Sequence, residues 1–220
     1  TAANVACYIA KKKWGNQLYI YHADDEDSLK YKSEMHFIPY ITKAIKEDRF
    51  CLYKQIIRPI GYGLPDNDHY EILLRMMYDE GNIVSPGSFL QIAERYNLMP
   101  EIDRWVVEKL FSSYKADYYE TPDKAYAKFS INISGVTLND EKFFHFIIDK
   151  LDQYKIPPYM ICFEITETAA ISNFSQVILF IKELKKIGCF FSLDDFGSGW
   201  ASFNYLKLLP VDFLKIEGSF

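Results

Sequence analysis

From Lys128 to the C-terminal end, short apolar runs alternate with helical stretches, and no other feature of the chain constrains its fold as tightly. Lys128–Ser134, Met160–Thr166, Phe190–Leu193 and Val211–Ile216 read as strands. Glu141–Tyr154, Ser175–Ile187 and Ser202–Leu208 read as the helices between them, the second ended by Gly188. The strand runs read as apolar without polar alternation, which predicts burial on both faces and therefore a parallel sheet. Repeated β–α units of this kind predict either an α/β barrel or an open doubly wound sheet.

The chain before Lys128 is less regular. Residues 2–13 read as a helix ending near Gly15, Leu18–Tyr21 as a strand, and Ala23–Ser28 as an acidic break suited to a linker. A helix follows over Leu29–Glu47, interrupted by Pro39. Phe50–Ile57 and His69–Met77 read as strands. Ser85 and Pro86 form an N-cap and a first-turn proline for a helix to about Tyr96. Ile102–Tyr114 is a further helix, with Trp105, Val106, Leu110 and Phe111 as its buried stripe.

Composition narrows the function. The net charge is −5 over 220 residues, which argues against a nucleic-acid polymer as partner, because such surfaces are basic. A small anionic nucleotide held by a metal remains compatible. No apolar run approaches the roughly 20 residues of a membrane span, so no membrane contact is expected in this segment. Cys7, Cys51, Cys162 and Cys189 form no C-x-x-C pair, and the four histidines lack ligand spacing. A zinc or disulfide framework is not expected. Neither a G-x-G-x-x-G after a strand nor a P-loop is present. With no initiator Met before Thr1, the chain reads as an excerpt of a longer protein.

In β/α barrels the reactive groups stand at the C-terminal ends of the strands. Those ends carry Glu71 and Arg75 on either side of Leu73, then Asn132, then Glu164 with Glu167 just beyond, then Asp194 and Asp195, then Lys215 leading to Glu217. Taken singly, each has an ordinary structural reading as an ion pair, a turn cap or a solvated charge. Taken together, carboxylates plus one amide oxygen form a hard-oxygen set suited to Mg²⁺ or Mn²⁺, and a buried acidic cluster needs a cation. Two such ions would clamp the attacking and leaving oxygens of a phosphodiester. Lys215 would hold a water or neutralise charge, and Arg75 would grip a phosphate bidentately.

These residues resemble the EAL domain, the cyclic di-GMP phosphodiesterase family. The matching runs are Glu71-Ile72-Leu73-Leu74-Arg75, Ser130-Ile131-Asn132-Ile133-Ser134, Phe163-Glu164-Ile165-Thr166-Glu167, Asp194-Asp195-Phe196-Gly197-Ser198-Gly199-Trp200 and Leu209-Pro210-Val211-Asp212-Phe213-Leu214-Lys215-Ile216. The signature reads Glu-Ile-Leu in place of Glu-Ala-Leu, and Lys215-Ile216-Glu217 stands where the family has Lys-Ile-Asp. Ala6 to Lys11 with Gly15-Asn16 is similar to the end of a GGDEF domain. The resemblance implies a C-terminal GGDEF-like remnant over 1–25, a linker helix over 26–48 and an EAL domain over 49–220. It implies an α/β fold, a TIM-like barrel of the EAL type lacking its last β–α units, where the family's general-base Glu lies. It also implies cleavage of cyclic di-GMP to linear pGpG with Mg²⁺ or Mn²⁺, in the cytoplasm or the cytoplasmic part of a membrane-anchored protein, and a homodimer. By position, Glu71, Asn132, Glu164, Asp194 and Asp195 correspond to metal ligands, with Glu71, Asp194 and Lys215 catalytic. Arg75, Gln55 and Leu73 correspond to substrate contacts and Glu167 to the anchor of the Asp-Asp-Phe-Gly loop. Two other readings stay open: an EAL domain that binds cyclic di-GMP without cutting it, and a dimerising scaffold.

Overall fold

A computed structural model describes residues 2–12, 18–61, 68–78, 81–120, 127–197 and 206–218. In chain order the elements are α1 (Ala2–Lys12), α2 (Glu26–Lys46), β1 (Phe50–Ile57), β2 (His69–Met77), β3 (Ile83–Val84), α3 (Pro86–Arg95) and α4 (Met99–Glu120). They continue with β4 (Lys128–Asn132), α5 (Glu141–Tyr154), β5 (Ile161–Thr166), α6 (Glu167–Ser172), α7 (Phe174–Lys186), β6 (Phe190–Phe196) and β7 (Phe213–Ile216). The sheet order is β1-β2-β4-β5-β6-β7, with β3 on β2. β1 and β3 run antiparallel to β2, and every pairing from β2 through β7 is parallel.

The sheet curls. β2 and β7 are four strand spacings apart, about 19 Å in a flat sheet at roughly 4.8 Å per strand. Yet Lys215 Nζ on β7 lies 3.2 Å from Glu71 Oε2 on β2. Only a barrel-like wall brings them together, which decides against the open doubly wound alternative.

Its two faces differ in chemistry. Ile72, Phe129, Ile131, Phe163, Ile165, Phe191 and Leu193 point outward into the core with Phe111, Phe143, Ile147, Val177 and Ile181 of the covering helices. The intervening positions turn inward and are mostly polar, His69, Glu71, Ser130, Asn132, Glu164, Ser192, Asp194 and Lys215, with Cys162, Phe190 and Phe213 among them. This corrects the sequence reading of unalternating apolar strands. β4, β5 and β6 are largely buried on both faces, but Phe-Ser-Ile-Asn, Phe-Glu-Ile-Thr and Phe-Ser-Leu-Asp alternate, and the polar half lines the interior.

Other expectations are also corrected. Leu18–Tyr21 is not a strand; it pairs with no described strand, and Leu18 and Ile20 are 88% and 64% exposed. α2 begins at Glu26 rather than Leu29, with Glu26 and Asp27 favourably placed at its N-terminus, so the acidic stretch is partly helix. It also runs unbroken through Pro39, because the fully buried Ile41 and Ala44 hold the following turn against the domain. Ser85 is extended before Pro86, but its side chain makes no capping hydrogen bond. The segment Gly15-Asn16, most of Ser202–Leu208 and Ser198–Trp200 lie outside the described residues.

One buried acid ties α4 to the end of β4. Asp103, 3% exposed, accepts hydrogen bonds from Ser134 N (3.1 Å) and Ser134 Oγ (2.7 Å), two residues beyond Asn132. Burial pushes its pKa from 3.8 up to about 6, against the hydrogen bonds that favour the anion. Folding thus favours the protonated form. The resulting stabilisation is complete below pH 3.8 and is lost as pH rises through about 6. Asp103→Asn should therefore gain on the wild type by about 3 kcal/mol between those limits. Urea denaturation of both proteins at several pH values checks this, and parallel pH profiles would refute it.

Candidate active site

The inward acidic positions climb the strands in step. Glu71 is in register with Ser130, Asn132 with Glu164, and Thr166 with Asp194. Glu71, the Asn132–Glu164 pair and Asp194 therefore rise by two residues at a time across the sheet. In a barrel the strands tilt, and this stagger places the side chains in one layer. One carboxylate oxygen from each of Glu71, Glu164 and Asp194 lies within 4.8 Å of the others. Lys215 Nζ donates to Glu164 Oε2 (2.7 Å), Asp194 Oδ2 (3.0 Å) and Glu71 Oε2 (3.2 Å). Asn132 Nδ2 donates to Glu71 Oε1 at 3.3 Å.

Lys215 is placed from outside its own strand. Asp212, just before β7, accepts from Phe191 N at 2.9 Å and donates its own N–H to Phe191 O at 2.8 Å. Lys185 Nζ on α7 binds Asp212 Oδ1 at 2.5 Å. The entry of β7 is thus stapled to β6 and α7.

The electrostatics are those of a cation cradle. Glu164 is 2% exposed; burial raises its pKa, with Lys215 opposing. Burial would pull Lys215 down, but its hydrogen bonds to Glu164 and Asp194 outweigh that and raise its pKa above the ordinary lysine value. The ammonium is charged at neutral pH. Three carboxylates against one ammonium leave two formal negative charges. Together with the Asn132 amide oxygen they form an all-oxygen donor set without His or Cys, which fits Mg²⁺ or Mn²⁺.

The remaining expected residues fall in different places. Glu71 is not at the end of its strand: it is the third residue of β2, whose later residues pair with β1 and β3 after the ladder to β4 stops at Ile72–Ile131. Asp195 stays outside the three-carboxylate group. It has a left-handed φ of 55°, lies at the register shift between Leu193 and Phe196, and donates its N–H to Asp194 Oδ1 at 2.9 Å. Glu167 is buried, and its Oε2 accepts from Gly197 N at 2.8 Å, tethering the chain as it leaves β6. Gln55 is the cross-strand partner of Glu71 on β1. Arg75 is turned away from the cluster, donating to its own neighbour Leu74 O at 2.8 Å and stacking 5.2 Å from the centre of the Tyr53 ring. Leu73 and Asn132 line a cavity of about 650 Å³ with Pro86, Leu90 and Ser134.

Sequence reasoning passed over Ser130 and His69, which lie one layer beneath the carboxylates, and over Asp103 and Asp212. The period-two polar positions of β4 carried the signal for Ser130.

A curled, mostly parallel α/β sheet with three carboxylates gathered around a lysine on its inner face is one class of domain. The chain belongs to the EAL domain family, whose model matches residues 40–220. It is 39% identical over 218 residues to the cyclic di-GMP phosphodiesterase PdeB of Shewanella oneidensis, covering 99% of this chain and 25% of that protein. It is 38% identical over 201 residues to the cyclic di-GMP phosphodiesterase PdeA of Borreliella burgdorferi, covering 91% and 29%. The chain thus spans 25% and 29% of the length of these relatives. Among solved structures it is similar to the FimX EAL domain from Pseudomonas aeruginosa bound to c-di-GMP, with a TM-score of 0.74 and 28% identity, covering 83% of this chain and 71% of that one. No described helix is long and apolar enough to cross a membrane.

Proposed function

We propose that this chain carries the catalytic centre of a metal-dependent phosphodiesterase that hydrolyses cyclic di-GMP to linear pGpG. The observation that carries the reading is the convergence of Glu71, Glu164 and Asp194 within 4.8 Å around Lys215. The names of the PdeB and PdeA relatives and the ligand in the FimX EAL structure support the choice of substrate.

Hydrolysis adds water to one phosphorus and breaks its P–O3′ bond. Mg²⁺ or Mn²⁺ held by Glu71, Asn132, Glu164 and Asp194 would supply Lewis-acid charge to the phosphodiester and make water more acidic. Lys215 balances part of the acidic charge; its three N–H groups are held by Glu71, Glu164 and Asp194, so one must leave a carboxylate to reach a phosphate oxygen or a positioned water. Asn132 holds Glu71 in place. Asp195, beside Asp194, is the residue best placed to join at a second ion. Leu73 and the cavity beside it accept part of the nucleotide, and Gln55 flanks it across from Glu71. Arg75 must leave Tyr53 to reach a phosphate. Glu167 holds Gly197, just past the end of β6, two residues beyond Asp195.

The same reading takes residues 1–25 as the end of a GGDEF-like domain, 26–48 as a linker helix and the working unit as a cytoplasmic homodimer; the sequence resemblance supports these points. Incubating the intact protein with cyclic di-GMP and Mg²⁺ or Mn²⁺ is expected to release pGpG, with loss under EDTA and recovery on adding back the ion. Binding without cleavage would assign a receptor instead, and no binding a scaffold.

A further inference from the structure

We propose that the ring of Tyr53 on β1 is the platform on which one purine base of the substrate stacks, uncovered when Arg75 leaves it for a phosphate. The inference rests on the phosphodiesterase reading above and adds a base-binding group to it.

Parity along the strands places Tyr53. Glu71 faces the cluster, and side chains alternate, so Leu73 and Arg75 share its face of β2. Residues directly opposite in an antiparallel pair point to the same side. Gln55 stands opposite Glu71, Tyr53 opposite Leu73 and Cys51 opposite Arg75. Tyr53 is thus one step along the inner face from the Glu71–Gln55 pair, roughly 7 Å along the strand. That is comparable to the span from a nucleotide's phosphate to its base.

Two observations mark the ring as a surface for a ligand rather than a piece of core. Tyr53 is 45% exposed, whereas Phe50 at the start of the same strand is 2% exposed and packs against Phe89 and Trp105. The group that Tyr53 does hold is a cation with work elsewhere: Arg75 lies 5.2 Å from the ring centre, diagonal to it across the strand pair. Arg75 also donates to Leu74 O at 2.8 Å, and reaching a phosphate takes the guanidinium off the ring. The ring face is then bare apolar surface beside Leu73. A guanidinium on an exposed ring is weakly held, by a factor of about 2–5. Stacking a base on an aromatic side chain changes affinity by about 5- to 150-fold. Exchange of the cation for a base is therefore downhill, and the same step gives the phosphate its charge partner. Every base has a stacking face, so Tyr53 supplies affinity and does not choose guanine over adenine.

Steady-state kinetics of the intact protein with cyclic di-GMP and Mn²⁺ test this. Tyr53→Ala should raise KM by about 5- to 50-fold. It should leave kcat within about threefold, because the base is remote from the bond that breaks. Tyr53→Phe and Tyr53→Trp keep an aromatic face and should stay within about threefold of the wild-type KM. Tyr53→Leu keeps apolar bulk on the strand without that face; it should behave like Tyr53→Ala and decides the matter should Tyr53→Ala not fold. A double variant with Arg75→Ala separates a platform from a ring that merely holds the arginine. A base contact and a phosphate contact grip different parts of the ligand, so the losses in kcat/KM should at least multiply. A ring acting only through Arg75 would leave the double variant no worse than Arg75→Ala. That result, or a wild-type KM in Tyr53→Ala or Tyr53→Leu, would overturn the proposal. A wild-type protein that binds cyclic di-GMP without cutting it would overturn the parent reading alone, and the same variants should then weaken Kd by the same factors. No binding by the wild type would overturn both, an outcome seen before any variant is made.

Discussion

Changing Asp194 to Asn is expected to lower cyclic di-GMP turnover by about 10³-fold while leaving a folded protein. An ion bound at such a site contributes several kcal/mol of transition-state charge stabilisation, and each 1.36 kcal/mol is tenfold in rate. The amide keeps the shape of the carboxylate but removes one anionic ligand. Asp194 is partly open to solvent, with a side chain 20% exposed, so the substitution strands no buried charge. It also lowers the repulsion among the three acids. The metal-free protein should therefore melt close to wild type, while the rise in melting temperature on adding Mg²⁺ should shrink. Product chromatography and thermal melts with and without Mg²⁺ read both effects. Turnover within tenfold of wild type would remove Asp194 from the ligand set.

Lys215→Met should give the opposite stability signature. Its ammonium is the counter-charge for three carboxylates whose oxygens lie within 4.8 Å of one another. Two unit charges at 4 Å interact by about 4 kcal/mol at an effective dielectric of about 20. Uptake of a proton and partial exposure to water will relieve much of that. A net loss of about 2 kcal/mol is expected without divalent ions, or about 4–8 °C in melting temperature for a domain of this size. Added Mn²⁺ should restore more stability than it adds to wild type, because it meets a larger uncompensated charge. Turnover should still fall by about 10²-fold or more, since the lysine donors to phosphate or water are gone. Equal Mn²⁺ shifts in the two proteins would show that Lys215 does not share the charge of the site.

Much of this was legible in the residues. The β–α alternation after Lys128 located β4 to β7 to within a few residues, and α5 coincides with its expected limits. Glu71, Asn132, Glu164, Asp194 and Lys215 could be named because a carboxylate, amide or ammonium recurred on each successive strand, although Glu71 proved to sit early in β2 rather than at its end. What the sequence hid was three-dimensional. The strand expected at Leu18–Tyr21 had the right local pattern, but alternation forms a strand only where a ladder partner exists. Pro39 looked like a break because its cost is local, whereas the packing of Ile41 and Ala44 that offsets it is tertiary. Ser130 and His69 looked like ordinary strand residues until the pairing of β2 with β4 brought His69 Nε2 to 2.8 Å from Ser130 Oγ. Arg75 shares a face with Glu71, but nothing in its spacing revealed that it would stack on Tyr53.

Lys215 and Glu71 are 144 positions apart in sequence, yet they touch. That separation makes the cradle a late event in folding. Closing so long a loop directly costs more entropy than pairing neighbouring strands, so the order in which β4, β5 and β6 are laid side by side before β7 is the less costly one. A chain emerging from the ribosome presents Glu71, Glu164 and Asp194 before it presents the lysine that reconciles them. Until β7 docks, those acids repel one another and the cradle is incomplete. The domain therefore checks its own assembly: the groups proposed to cut the messenger come together only when the wall of the barrel has curled round.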